Sequence, residues 1–249
     1  MDKSRYSWIA HGQLPVWNPC SVSHLQRYVE QLRLRDGSGI LDIGCGRGHL
    51  LNLILSQYNA CGIGVDSSPY AIAEAARSAA HLIAAGRLTL VERAFEANDY
   101  DAASFDLVVC IGSTHASEGY KGVLKTARRL LRAGGMLLVG EGYWKRPPSA
   151  DYLAFLQATA DEHGTHQGNQ TTGINDDFDL LTCSECSQEE WDAYEEQYAR
   201  NVEGHVRANP HDPDAQAMLE RIRAWREAYL RWGRDTLGFG LYLFRLPSQ

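Results

Sequence analysis

The sequence lacks the long apolar run that a membrane-spanning helix needs. No stretch of its 249 residues approaches the roughly 20 apolar residues required to cross a bilayer. Its first residues, MDKSRY, are too polar to open a secretory signal peptide. We therefore expect a soluble cytoplasmic protein with no membrane partner.

Positive charge is also scarce. Lysine and arginine together number 24 against 31 acidic residues, which gives a formal net charge of -7, and no dense cationic stripe is present. A net negative charge repels a phosphate backbone, so DNA and RNA are disfavoured as partners. Hydrophobic residues at 44% and charged residues at 22% are ordinary globular values. The length suffices for one α/β domain with a sizeable insertion, or for two small domains.

Paired cysteine motifs are nearly absent. Of six cysteines, only Cys183 and Cys186 form a C-x-x-C, and no second pair stands at zinc-finger spacing. In a reducing compartment we expect free thiols that pack as small hydrophobic side chains. We predict no metal site. A site built from His115, His163 and His166 remains a weaker alternative.

The chain is organised around residues 40–50, which read ILDIGCGRGHL. A short apolar strand stops in alternate glycines before a helical pattern begins. Gly44, Gly46 and Gly48 permit positive φ and leave no Cβ between the backbone and a ligand. Dinucleotide enzymes favour G-x-G-x-x-G, whereas here the pattern is G-x-G-x-G with Asp42 two residues before it. A carboxylate at that point suits a cationic ligand better than a pyrophosphate.

This segment resembles the first signature of the class I S-adenosylmethionine-dependent methyltransferases, an acidic residue followed by G-x-G-x-G. The resemblance implies an α/β fold with a Rossmann-like, seven-stranded, mostly parallel sheet whose last strand is antiparallel. It also implies S-adenosyl-L-methionine as cofactor, held in part by Asp42, Gly44, Cys45 and Gly46.

A second acid follows the next predicted strand. Asp66 lies about twenty residues beyond the glycines, the distance at which α/β nucleotide folds place a carboxylate for ribose hydroxyls. The resemblance implies that Asp66 binds the cofactor ribose, with Ser67 beside it. Many relatives carry an aspartate after the third strand that binds adenine. Here Phe95 takes that position, so we expect adenine to be held by stacking, with Glu96 as the alternative contact.

The predicted fourth and fifth strands end in polar and aromatic residues. Ligands collect beyond the carboxyl ends of strands in open α/β sheets. We therefore predict His115 as the general base, with Glu141 second as base or counter-ion; a turn-capping role for His115 remains equally open. The predicted contacts are Cys110 to the cofactor and Thr114, Tyr143 and Trp144 to the acceptor. The Asn/Asp-Pro-Pro-aromatic signature of nucleic-acid and protein-amide methylating relatives is absent, which favours a small-molecule acceptor.

The segments before the first strand and between the last two strands are predicted to add helices to the core. Residues 1–38 form a helical lid in which His11 and Asn18 are candidate substrate contacts. Residues 39–186 and 236–249 form the methyltransferase core, and residues 187–235 form a helical cap between the last two strands. Within the core, Ser149–His163 reads as a helix and Gly164–Asp177 as a polar lid loop.

The expected activity is methyl transfer to an oxygen or nitrogen nucleophile by in-line displacement. Two alternatives from other classes stay open. One is a nicotinamide-dependent oxidoreductase, and the other is a non-catalytic, S-adenosylmethionine-binding regulatory protein. The sequence leaves the oligomeric state and the identity of the acceptor open.

Overall fold

The computed structural model describes residues 1–248 and contains a central sheet with helices on both faces. The strands are β1 (Gly39–Ile43), β2 (Cys61–Asp66), β3 (Leu88–Glu92), β4 (Phe105–Ile111), β5 (Leu131–Trp144), β6 (Asp179–Glu185) and β7 (Leu237–Arg245). The helices are α1 (Lys3–His11), α2 (Val22–Val29), α3 (His49–Gln57), α4 (Pro69–Ser78), α5 (Ala80–Ala84), α6 (Gly119–Leu130), α7 (Ala150–Leu156), α8 (His166–Asn175), α9 (Gln188–Ala208), α10 (Ala215–Ala228) and α11 (Arg234–Thr236).

The strand order within the described residues is β3-β2-β1-β4-β5-β7-β6. Pairing is parallel from β3 through β5, and β7 runs antiparallel to both β5 and β6. The predicted α/β fold with a mostly parallel sheet and an antiparallel last strand is confirmed.

Alternate residues of the central strands supply two separate apolar layers. On β4, Leu107 and Val109 pack in the layer that contains α2 and α3, whereas Val108 and Cys110 pack in the layer that contains α6. This alternation follows from the two-residue period of a strand buried on both faces. The central strands therefore carry apolar residues on both faces, as in the run Leu107–Ile111 of β4.

The segment after β5 differs from its prediction. Helix α7 already ends at Leu156, and the stretch predicted as a lid loop contains α8 instead. The Thr165 side chain accepts a hydrogen bond from the Gly168 amide at 2.9 Å and caps α8. At Gly173 an added Cβ would collide with the Phe244 ring. Gly173 thus allows α8 to lie close against β7, where a larger side chain would hold it away.

The amino-terminal segment and the helices between β6 and β7 pack on one another. Helix α1 contacts α9 and α4, and α9 also contacts α10. A π-helical stretch, Tyr229–Gly233, leads from α10 to α11 and into β7. The division into a lid at 1–38 and a cap at 187–235 remains our proposal. Within residues 1–248 no helix has both the length and the apolar character to cross a bilayer.

Candidate active site

The bend after β1 has a backbone that only glycine adopts easily. Gly44, Gly46 and Gly48 have φ values of 71°, 53° and 72°. The amides of Gly44 and Cys45 donate to the Val65 carbonyl at 2.8 and 3.0 Å, which holds the bend against β2. An added Cβ at Gly44 would collide with the Ser113 side chain. The bend is therefore fixed in place and exposes main chain rather than side chains.

Asp66 ends β2 and contacts that bend. One carboxylate oxygen accepts from the Gly46 amide at 2.9 Å, and the other accepts from the Ser68 amide at 2.8 Å. The Ser68 side chain in turn accepts from the Ala71 amide and caps α4. A carboxylate oxygen has two lone pairs, so each oxygen of Asp66 retains the capacity to accept from a hydroxyl.

Asp42 is the most perturbed acid of the site. It is buried, with 4% of its surface exposed. Burial first, and then the neighbouring Asp66 charge, raises the pKa of Asp42 from 3.8 to about 7. A cation placed beside this carboxylate would favour its ionised form.

These groups line one cavity of about 670 Å³. The sheet side contributes the predicted cofactor residues Asp42, Gly44, Cys45, Gly46, Asp66, Ser67 and Phe95. The amino-terminal segment contributes Ser7, His11, Trp17 and Asn18, and His115 lies on the wall after β4. The structure therefore brings together residues that are far apart in the sequence but were predicted as one site.

Cys110 lies outside this lining. Its side chain is fully buried on β4, and its Sγ lies 3.5 Å from Ser113 Oγ. Burial raises the pKa of the Cys110 thiol to about 12, so the thiol is neutral. The strand alternation turns this side chain into the layer beneath the cavity. We therefore no longer propose it as a cofactor contact.

Thr114, Glu141, Tyr143 and Trp144 also lie outside the lining, in a polar cluster at the carboxyl end of β5. Glu141 accepts hydrogen bonds from the Thr114 hydroxyl and from the Gly142 amide. The Tyr143 hydroxyl donates to Glu185, and Trp144 Nε1 donates to the Ala160 carbonyl at 2.9 Å. The His163 ring packs against this strand end, 5.1 Å from the Trp144 ring between centroids, and these four side chains are not among those that line the cavity.

The cluster nevertheless touches the site through the main chain. Thr114 begins the short 3-10 helix Thr114–Ser117, which also carries His115. The Glu141–Thr114 hydrogen bond thus anchors the turn from which His115 faces the cavity. The position of Glu141 supports a role in orienting this turn rather than in contacting a substrate.

His11 lines the cavity, and its imidazole ring is neutral. Its Nδ1–H donates to the Ser7 carbonyl at 2.7 Å, and Nε2 accepts from the Tyr194 hydroxyl at 2.9 Å. Burial lowers the pKa of His11 to about 4. The ring stacks on Trp17 at a centroid distance of 4.6 Å. His11 therefore supports the cavity wall and does not act as a base near neutral pH.

The three histidines of the weaker alternative are not brought together in residues 1–248. His163 Nδ1 lies 3.5 Å from Glu141, His166 Nδ1 lies 2.9 Å from the Tyr242 hydroxyl, and His115 faces the cavity. The described residues do bring Cys20, His24 and Cys186 together at metal-ligand spacing. This second cluster lies apart from the cavity lining and was not predicted.

Sequence reasoning did not select Trp17 or His49 as site residues. Both line the cavity, and each has a buried ring nitrogen with no hydrogen-bond partner among the described residues. Trp17 covers the glycine bend, since a Cβ on Gly46 would lie 3.7 Å from its ring. The sequence does show an aromatic and polar stretch just before α2. Its local pattern, however, does not predict where that stretch lies on the sheet.

Comparison with known proteins finds a matching domain family and similar chains. Residues 40–135 match the methyltransferase domain family. The uncharacterized protein YjhP of Escherichia coli K12 is 26% identical over 97% of this chain and 98% of its own length. A sterol 24-C-methyltransferase of Aspergillus fumigatus is 30% identical, but the match covers 47% of this chain and 31% of that protein.

A solved structure supports the same assignment. The S-adenosylmethionine-dependent methyltransferase of Geobacter sulfurreducens, crystallised in complex with S-adenosyl-L-homocysteine, superimposes with a TM-score of 0.86 at 26% identity. The superposition covers 96% of this chain and 97% of that one. The matching domain over residues 40–135, the sheet order and the glycine bend all support the predicted class I S-adenosylmethionine-dependent methyltransferase.

Proposed function

We propose that the cavity binds S-adenosyl-L-methionine and transfers its methyl group to a small-molecule oxygen or nitrogen nucleophile. The observation that carries this proposal is the presence of Asp42, Asp66 and the bare glycine bend on one cavity wall. Asp66 is placed to accept from both ribose hydroxyls. Asp42 provides the charge for a cationic methionine end, and Phe95 provides a flat apolar surface for adenine.

The amino-terminal segment supports a small acceptor. His11, Trp17 and Asn18 line the same cavity as the glycine bend, so cofactor and acceptor would share one volume of about 670 Å³. The net charge of -7 also opposes a nucleic acid.

Alignment of the reactants accounts for most of the expected rate enhancement. The cofactor supplies a sulfonium leaving group, so the chain must hold donor and acceptor in line and exclude water. Such positioning is worth about 7–11 kcal/mol, whereas a general base adds about 10²- to 10⁴-fold. His115 is our candidate base because it lies on the cavity wall. Glu141 is assigned a positioning role through Thr114.

The proposal is tested by binding followed by turnover. Isothermal titration with S-adenosyl-L-homocysteine should give saturable binding at one site per chain, and NADH should give no fluorescence change on mixing. Release of S-adenosyl-L-homocysteine from S-adenosyl-L-methionine is then measured with a panel of amines, phenols, carboxylates and carbon nucleophiles. Binding without turnover across the panel would favour a regulatory protein, and NADH binding would favour an oxidoreductase.

A further inference from the structure

Two cysteines that are 166 residues apart in the sequence meet beside the segment that covers the cavity. Cys20 precedes α2, Cys186 follows β6, and their Sγ atoms lie 2.7 Å apart. Both are buried, with 3% and 8% of their surfaces exposed. A disulfide has an S–S distance of about 2.05 Å, so bond formation requires the sulfurs to approach by less than about 1 Å.

His24 completes the cluster, and its contacts argue against a metal ion. Its Nδ1 lies 3.2 Å from Glu190 Oε2, and its Nε2 lies 2.6 Å from Ser184 Oγ. Both ring nitrogens therefore already have partners. Zinc–sulfur bonds of about 2.3 Å in a tetrahedral site would also hold the sulfurs about 3.7 Å apart. The observed contact fits a thiol pair better than a metal centre.

The surroundings make Cys186 the more nucleophilic of the two thiols. Hydrogen bonding from Cys20, and then from His24, lowers the pKa of Cys186, against the opposing effects of burial and the Glu190 carboxylate. Burial raises the pKa of Cys20. The neutral Tyr28 hydroxyl faces the same cluster, where it lies 2.7 Å from Ser184 Oγ. Cys186 is also the more exposed cysteine, so a small oxidant meets the better nucleophile first.

We propose that Cys20 and Cys186 form a thiol–disulfide site that reacts with hydrogen peroxide and fastens the amino-terminal segment to the junction of β6 and α9. The Cys186 thiolate attacks a peroxide oxygen, the O–O bond breaks, and a sulfenic acid forms with release of hydroxide. The Cys20 sulfur then attacks the sulfenic sulfur, the S–O bond breaks, and a second hydroxide leaves. The two thiol protons convert both hydroxides to water.

The Cys20–Cys186 disulfide would restrain the amino-terminal segment that covers the cavity. The Cys20 amide donates to Asn18 Oδ1 at 2.9 Å, and Asn18 and Trp17 both line the cavity. A covalent link at Cys20 therefore fixes the carboxyl end of the covering segment to the sheet. This inference does not depend on which ligand the cavity holds.

The test begins with fully reduced protein and one equivalent of hydrogen peroxide. Intact mass should fall by about 2 Da, and a non-reducing peptide map should link the peptides that contain Cys20 and Cys186. Dithiothreitol should restore the original mass. Cys20→Ser and Cys186→Ser should each abolish the link, whereas Cys61→Ser, at an exposed position, should retain it. The oxidised wild type should melt at least about 5 °C above the reduced form.

A second variant tests the role of His24 as a positioning residue. His24→Gln should slow formation of the link at pH 7, and the difference from wild type should shrink at pH 9, where thiolate forms without assistance. A purely structural histidine would slow the reaction equally at both pH values.

Three results would overturn the proposal. The first is a link between Cys183 and Cys186. The second is peroxide oxidation to sulfinic acid with no link to Cys20. The third is about one zinc ion per chain in the purified protein, with both thiols protected from peroxide until a chelator removes the metal.

Discussion

Asp42 on β1 lies beside the strand that ends in Asp66, and the charge of Asp66 adds to burial in raising the pKa of Asp42 to about 7. The two acids differ in their surroundings. Asp66 accepts two main-chain hydrogen bonds at the end of its strand, whereas Asp42 is buried two residues before the glycine bend. This pair makes binding of a cation dependent on pH.

We expect the affinity for S-adenosyl-L-methionine to rise about tenfold between pH 6 and pH 8, because Asp42 ionises in this range in the free protein. Isothermal titration across that range measures the effect, with S-adenosyl-L-homocysteine as the ligand that lacks the sulfonium charge. In Asp42→Asn the dependence should disappear. A flat profile for both ligands in the wild type would refute the role assigned to Asp42.

The raised pKa of Asp42 also predicts that the stability of the folded protein depends on pH. The folded-state pKa of Asp42 is raised from 3.8 to about 7, so its stabilising contribution is fully present below about pH 4 and is lost as pH rises through about 7. Asp42→Asn without ligand should therefore be more stable than wild type at pH 8, by up to about 4 kcal/mol, because each pKa unit of the shift corresponds to about 1.4 kcal/mol. The gain should vanish at pH 4, which scanning calorimetry at both pH values can check.

Replacement of Asp66 should weaken cofactor binding. Loss of charged hydrogen bonds costs about 1.5–3 kcal/mol, so Asp66→Ala should reduce affinity for S-adenosyl-L-homocysteine about 10- to 150-fold. The matched control is Glu92→Ala, because Glu92 is the exposed register partner of Asp66 on β3. Equal affinities in the two variants would remove the ribose assignment. Melting curves should accompany the titration, since Asp66 also holds the Gly46 and Ser68 amides.

His115→Ala should separate chemistry from binding. We expect the affinity for S-adenosyl-L-homocysteine to stay within about threefold of wild type, while kcat falls about 10²- to 10⁴-fold for an acceptor that must lose a proton. His81→Ala, on the exposed side of α5, is the control and should retain full turnover. Undiminished kcat in His115→Ala would leave this histidine only the turn-capping role.

Gly44→Ala should show how tightly the bend is held. Gly37 and Gly44 both have positive φ, at 78° and 71°, so alanine is strained at either position. Nothing lies within 4 Å of a Cβ at Gly37, whereas one at Gly44 would displace Ser113, which donates to the Ile43 carbonyl at 2.6 Å. Gly44→Ala should lose about 2–3 kcal/mol more stability than Gly37→Ala. Equal melting temperatures would contradict the close approach of Ser113.

Local patterns were sufficient to predict the sheet and one wall of the cavity. The glycine bend and the acids at positions 42 and 66 are fixed by strand ends and turn residues within a few positions of each. The fold, the family and the class of cofactor are confirmed. The individual site residues remain predictions that the experiments above address.

The errors concern the path of the chain beyond the strands. Residues at the end of β5 were predicted to face an acceptor because they follow a strand, but they do not line the cavity. Helix α8 was not predicted because its glycines are typical of a loop, and the packing of Gly173 against Phe244 is a contact between segments far apart in the sequence. The contact between Cys20 and Cys186 depends on how α2 and β6 dock, and no spacing in the sequence encodes it.

The position of β7 between β5 and β6 also determines the order in which the protein can fold during synthesis. Strand β6 pairs with β7 alone among the described strands, and β7 begins about 90 residues after β5 ends. Until translation reaches Leu237, β5 presents an open edge and β6 has no neighbour. The nascent chain is then exposed to aggregation through that edge, so removal of β7 should yield insoluble protein even though every cavity-lining residue is retained.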